Sequence, residues 1–199
     1  MLLRRLFFTV SPRRCLFTPP NPFASSSDPR RKEYEERRLV GYTAEEMYDV
    51  VANVKEYPQF VPWCRDASIK VITPNLFTAD LQIGFPPILE TYSSRITTNK
   101  PNIVRSVCTD GRLFKLLDTT WEFHDVSAAV ARRTNKRSCQ LHFALIFEFK
   151  SIFHSHLAHI FFDQVVSTMV VAFLHRAEVK YGKPSLNHFN NVNIIKKVS

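Results

Sequence analysis

The chain has 199 residues, 45% of them hydrophobic and 23% charged, which supplies one well-buried core and leaves little length for a second. Its four glycines, Gly41, Gly84, Gly111 and Gly182, are too dispersed to form a phosphate-cradling loop or a dinucleotide fingerprint, so nucleotide-dependent chemistry has no visible site. Of the net charge of +9, four units come from Arg4, Arg5, Arg13 and Arg14 within residues 1 to 27, and the remaining +5 suits an anionic membrane surface at least as well as nucleic acid.

Residues 1–28 read as a mitochondrial transit peptide with its linker. They are rich in Arg and Ser, lack acids before Asp28, and place Leu3, Leu6, Phe7 and Val10 on one helical face beside Arg4 and Arg5. Pro19, Pro20, Pro22 and Ser25 to Ser27 then lead into a folded domain over residues 29–184. Cys15, Cys64, Cys108 and Cys139 are scattered, without a CxxC pair, which fits free thiols in a reducing compartment and argues against a zinc site.

Glu33 to Val40 is predicted to be a strand. Thr43 and Glu46 form a capping box that starts a helix running to about Asn53, and Pro58 and Pro62 break the segment that follows. From Cys64 to Lys150 the hydrophobic period becomes two. Phe77, Ala79, Leu81, Ile83 and Phe85 share one face, as do Leu141, Phe143, Leu145, Phe147 and Phe149, and likewise Leu117, Trp121 and Phe123. Turn signals separate these strands, the last being the polar stretch Arg132 to Ser138. Ser151 to Tyr181 is predicted to be one long helix capped by Ser151, with a stripe of Phe153, Leu157, Phe161, Val165, Thr168 and Ala172. Asp163, Gln164 and His175 argue against a transmembrane span, and residues 185–199 read as a tail. These elements describe an α+β helix-grip fold of START/Bet v1-like type, a curved antiparallel sheet wrapped around a long C-terminal helix.

The segments ERRLVGYTAEEMYDVVANVKEYPQFVPWC, IGFPPILETYSS, CTDGRLFKLLDTTWEF and FEFKSIFHSHLAHIFFDQVVSTMVVAF resemble mitochondrial coenzyme Q-binding START-domain proteins of the polyketide cyclase/dehydrase-like superfamily, over roughly residues 33 to 182. The resemblance implies a peripheral protein on the matrix side of the inner membrane that binds coenzyme Q, or a similar prenyl lipid, as a ligand rather than as a catalytic cofactor. It implies a carrier or chaperone supporting respiratory electron transport and coenzyme Q biosynthesis, and partners among the enzymes of those processes. No turnover is implied. A cyclase- or dehydratase-like enzyme using the same cavity, and a membrane-docking interaction module, are the alternatives.

The expected pocket wall comprises Phe60, Val61, Pro62 and Trp63 between helix and sheet, Leu81, Ile83, Phe85, Pro86 and Leu89 around the apolar turn, and Tyr92, Leu117, Trp121 and Phe147 on later strands. Phe161, Val165 and Met169 complete it from the helix. Plain core packing is the competing reading for each of these residues. Tyr57, Tyr92 and Thr119 offer hydroxyls to a quinone carbonyl. Arg132, Arg133, Lys136 and Arg137, with Phe162, are the expected membrane contacts; the basic stretch lacks the interleaved aromatics that RNA binding prefers. Phe162, Val166 and Val170 suit either self-association into a homo-oligomer or membrane contact. His156, His159 and Asp163 share a helix face, but no second cluster supplies further ligands, so no metal site is expected. Asp118 and Glu122 mimic a paired-carboxylate site, yet alternation puts them opposite Leu117, Trp121 and Phe123, outside an apolar cavity.

Overall fold

Alternating apolar side chains build one eight-stranded antiparallel sheet whose inner face grips a long helix. The computed structural model describes residues 28, 30–85, 88–134, 137–151, 155–187 and 192–198. The expected leader therefore lies outside the described residues, apart from Asp28. The elements are β1 Arg31–Val40, α1 Ala44–Ala52, a 3-10 segment Val54–Gln59, β2 Cys64–Thr73, β3 Leu76–Phe85, β4 Ile88–Asn99, β5 Ile103–Asp110, β6 Phe114–Asp125, α2 Ala128–Arg133, β7 Cys139–Phe149, α3 Ser155–Tyr181 and β8 Val192–Val198. The strands are ordered β2-β3-β4-β5-β6-β7-β1-β8.

The predicted capping box is present. Glu46 N–H donates to Thr43 Oγ1 at 3.2 Å, and Thr43 N–H donates back to Glu46 Oε2 at 2.9 Å. Replacing Thr43 with Ala removes one of these bonds and is expected to cost about 1 kcal/mol, read as a lower urea midpoint at unchanged slope.

Two adjacent stripes of α3 turn inward, the first buried and the second partly so. Phe162, Val170, Leu174 and Ala177 pack on β1, β7 and α1, while Phe161, Val165, Met169 and Phe173, spaced by four, face the middle of the sheet. The expected stripe through Thr168 and Ala172 is thus displaced, because a curved sheet covers more than one line of the helix. Phe153 lies outside the described residues, as does the side chain of Leu157. Although His159–Tyr181 is long and apolar enough to cross a membrane by length and composition, here it is the gripped helix of the fold. It stops at Gly182, whose φ of +80° suits glycine and whose N–H donates to Glu178 O at 2.8 Å.

Three expectations are corrected. Residues 185–199 are more than a tail, since β8 pairs with β1 and sets Val192 beside Arg38 and Ile194 beside Glu36. The stretch Arg132 to Ser138, expected as a turn, is in part helical, since Arg132 and Arg133 are the last turn of the short helix α2. Arg137 is not presented to a membrane: its guanidinium donates to the carbonyls of Tyr181 (2.8 Å) and Lys183 (2.9 Å), bonds Glu46 at 3.2 Å and lies over the Tyr42 ring. These bonds satisfy carbonyls at the end of α3.

Candidate functional site

The cavity lies between α3 and the inner face of β3 to β7, with the 3-10 segment and the Val61 to Cys64 turn closing one side. Its empty volume, counted with its open mouth, is about 1050 Å³. The cavity proper is about 130 Å³, below the ~300–1,000 Å³ typical of small-molecule sites. Register builds the wall in rows. Val104, Trp121 and Phe143 form one row across β5, β6 and β7, and Ile96, Ser106, Thr119 and Leu145 form the next, extended across β4. The first row, with Phe173, is fully buried and forms the floor. Trp63, Ile83, Leu117 and Phe161, toward the opposite end of the sheet, are only partly buried and mark the mouth.

Trp63 takes φ +62°, a costly left-handed conformation for a bulky residue. It is held by Gly84 N–H donating to Trp63 O at 2.8 Å, and by Cys64 N–H donating to Val61 O at 3.2 Å. The strained turn delivers the indole to the cavity, 6.3 Å from the Phe161 ring.

Among the described lining residues, only Tyr57, Cys64 and Tyr92 are ionisable. Burial pushes all three upward, the Cys64 thiol to about 11 with help from the nearby Asp66 charge, so each is neutral at physiological pH. The Tyr57 hydroxyl is occupied, donating to Val51 O at 2.6 Å. Thus the wall is apolar and uncharged, interrupted by a few hydroxyls. It offers a place to bury hydrocarbon and, among the described residues, no charged general base.

Of the expected pocket residues, Val61, Pro62, Trp63, Leu81, Ile83, Tyr92, Leu117, Trp121, Phe161, Val165 and Met169 line this space. Three do not. Phe60 packs edge-on against Tyr57 and Phe173 beneath the Arg176 guanidinium. Phe147 is fully buried behind the wall, against Phe161 and Phe162. Leu89 is 60% exposed, because its register opposite Gly84 turns it away from the inner face that carries Ile83 and Glu90. Pro86 lies outside the described residues, as does the side chain of Phe85.

The expected membrane contacts are also redistributed. Phe162 is 0% exposed, set edge-on to Tyr34, and cannot touch a bilayer in this fold. Arg132 and Arg133 are exposed on α2, at the end of the sheet opposite the mouth, and Lys136 lies outside the described residues. Asp118 pairs with Arg105 at 2.6 Å and Glu122 with His142 and His124, all on the outer face. Asp163 pairs with Lys197 at 3.1 Å, and among the described residues no three metal-ligating side chains cluster.

Lining residues overlooked in the sequence include Val104, Ser106, Phe114, Phe143, Leu145 and Phe173. Phe143 and Leu145 lay on a recognised one-sided strand, and the four-residue spacing from Phe161 through Val165 and Met169 leads to Phe173. Ser106 had only its position two residues after Val104 to announce it.

A curved antiparallel sheet holding a helix over an apolar cavity defines a helix-grip lipid-binding class of fold, and the comparisons agree. The chain belongs to the polyketide cyclase/dehydrase and lipid transport family, whose model matches residues 40–174. It is 44% identical over 154 residues to "Coenzyme Q-binding protein COQ10 homolog B, mitochondrial" of Xenopus laevis, covering 77% of this chain and 61% of that protein. It is 38% identical to "Coenzyme Q-binding protein COQ10, mitochondrial" of Drosophila melanogaster, covering 82% of this chain and 66% of that protein. The chain therefore spans less than two thirds of the length of these relatives. A more distant relative, "Ribosome association toxin RatA" of Escherichia coli K12, is 33% identical, with 72% and 85% covered. Among solved structures, the Zhui aromatase/cyclase from Streptomyces has a TM-score of 0.60 at 16% identity, covering 75% of this chain and 95% of that one. The 18 kDa protein CC1736 from Caulobacter crescentus has a TM-score of 0.57 at 22% identity, covering 76% and 99%. These two show the fold alone.

Proposed function

We propose that this protein is a non-catalytic carrier of coenzyme Q or a closely similar prenyl lipid. In this reading it works on the matrix side of the mitochondrial inner membrane and hands lipid to respiratory or biosynthetic enzymes. The observation that carries the reading is the uncharged, aromatic-rich lining of the cavity. Each methylene moved out of water into such a space gains about 0.8 kcal/mol, so a polyprenyl tail is held without specific contacts. The coenzyme Q-binding relatives support the choice of lipid. A cyclase-like reaction would need a positioned base, and the lining tyrosines and Cys64 are held neutral. Docking on another protein through Phe161 and Phe162 is disfavoured, because the first lines the cavity and the second is buried. Ribosome association, the activity in the bacterial relatives' name, draws no support from an internal apolar cavity.

Membrane contact is assigned to the mouth. The start of β2, the β5–β6 turn and the start of α3 share that end of the sheet, as the pairings of Cys64 with Ile83 and of Arg31 with Glu148 require. Leu89 and Ile160 are exposed there, with the cations Arg65, Arg112 and Lys150; Glu90 and Glu148 lie buried beneath. Replacing Arg65 and Arg112 by Gln removes two basic charges worth ~1 kcal/mol each near an anionic surface. Sedimentation with phosphatidylserine-containing vesicles is expected to weaken about 30-fold. The same change at Arg132 and Arg133 is expected to leave binding unaltered, and the reverse pattern would move the docking face to α2.

The carrier reading is tested by movement of ubiquinone from donor to acceptor vesicles. Sub-stoichiometric protein is expected to accelerate transfer and return chemically unchanged ubiquinone. A new product would favour the enzyme reading.

A further inference from the structure

Besides Tyr57, Cys64 and Tyr92, the cavity wall carries two hydroxyls side by side. Ser106 on β5 and Thr119 on β6 are cross-strand partners on the inner face, flanked in their row by Ile96 and Leu145. Neither hydroxyl is hydrogen-bonded to any described residue. Both residues are only partly buried, so each hydroxyl faces cavity space where water can serve it, and a ligand that displaces that water must supply the partner instead. Their depth gives direction: the Val104, Trp121 and Phe143 row lies just beyond them, while Trp63 and Ile83 stand toward the mouth.

We infer that Ser106 and Thr119 form a head-group subsite that receives the oxygenated ring of a prenyl lipid, so that the ligand enters ring first and leaves its tail trailing to the mouth. The inference rests on the carrier reading and adds orientation and selectivity to it. A hydroxyl both donates and accepts. The pair therefore serves the carbonyl oxygens of a quinone and the hydroxyls of the corresponding quinol alike, and binding is expected to differ little between the two redox states. A ringless isoprenoid of the same carbon class leaves both hydroxyls unmatched. Ring-first entry also leaves the tail as the last part to quit the bilayer and the first to return.

The full chain carries its own reporters, since its two tryptophans are Trp63 and Trp121. Trp121 is two residues along β6 from Thr119, about 7 Å at strand spacing. Ubiquinone with a two-isoprene tail quenches tryptophan fluorescence, and squalene is measured by its displacement of the bound quinone. In Trp63→Phe the remaining signal is Trp121, and in Trp121→Phe it is Trp63. Ring-first binding predicts strong quenching in the first variant and weak quenching in the second.

The near-isosteric double variant Ser106→Ala/Thr119→Val is expected to bind the short ubiquinone about ten-fold more weakly while binding squalene within two-fold of wild type. Ser106→Thr, which keeps a hydroxyl, is expected to retain most of the quinone affinity. Unchanged quinone affinity in a folded double variant, or preferential quenching of Trp63, would overturn the subsite while leaving the carrier reading intact. If wild type binds neither probe, the carrier reading fails and this inference with it.

Discussion

Replacing Arg38 with Met is expected to destabilise the protein by about 3–5 kcal/mol, read as a fall in the urea midpoint at constant slope. Glu36 is 0% exposed and Arg38 6% exposed, and they meet at 2.9 Å on the inner face of β1. The Tyr34 hydroxyl donates to the same carboxylate at 2.5 Å. Val192 and Ile194 of β8 lie beside Arg38 and Glu36 in the sheet, helping to keep water from the pair. Losing the guanidinium strands a buried carboxylate, and that penalty dominates. Removing both charges with Glu36→Leu/Arg38→Met should recover most of the loss, although the Tyr34 hydroxyl then lacks its acceptor. Adding Tyr34→Phe removes that residual cost. The triple variant is expected to match or exceed wild type, since a buried ion pair rarely outperforms well-packed apolar residues. A single Arg38→Met variant as stable as wild type would show that the carboxylate is hydrated.

Leu81→Arg is expected to abolish lipid binding while leaving a folded protein. Leu81 is 7% exposed and stands opposite Tyr92 on the inner face, bordering the cavity. A longer side chain therefore extends into the cavity toward its mouth, and the stability cost adds the desolvation of an unpaired guanidinium to the ~1–3 kcal/mol of ordinary overpacking. The guanidinium brings a charge into an uncharged lining and takes up space the tail would fill. Displacing about five methylenes at ~0.8 kcal/mol each removes about 4 kcal/mol of binding, close to a thousand-fold in affinity. Val71→Arg, at a residue 67% exposed on the sheet edge, is the matched control and should change neither stability nor binding.

How far these features could be read beforehand differed by kind. The β3 and β7 alternations and the Thr43–Glu46 capping box are local signals, and each appears where its pattern placed it. β8 escaped because Val192–Val198 is short, polar in part and paired with a strand at the other end of the chain, so nothing local announces it. Phe60, Phe147 and Phe162 show a different limit. Hydropathy says that a phenylalanine is buried, and only the three-dimensional neighbours decide whether it faces a cavity or another side chain. Arg137 is the polar counterpart, a basic residue in a basic stretch whose donors are spent on the end of α3. Ser106 was hidden for the opposite reason, since a small polar residue within a strand ordinarily reads as solvated.

The most direct test of the central claim is to purify the full chain from cells that make ubiquinone, extract it with organic solvent and identify the lipid by mass spectrometry beside Leu81→Arg. Near-stoichiometric prenyl quinone in the wild type and its absence from the folded variant is the expected result. Well-folded wild-type protein free of prenyl lipid, or a variant that retains the quinone equally, would contradict the claim that this cavity is a prenyl-lipid site.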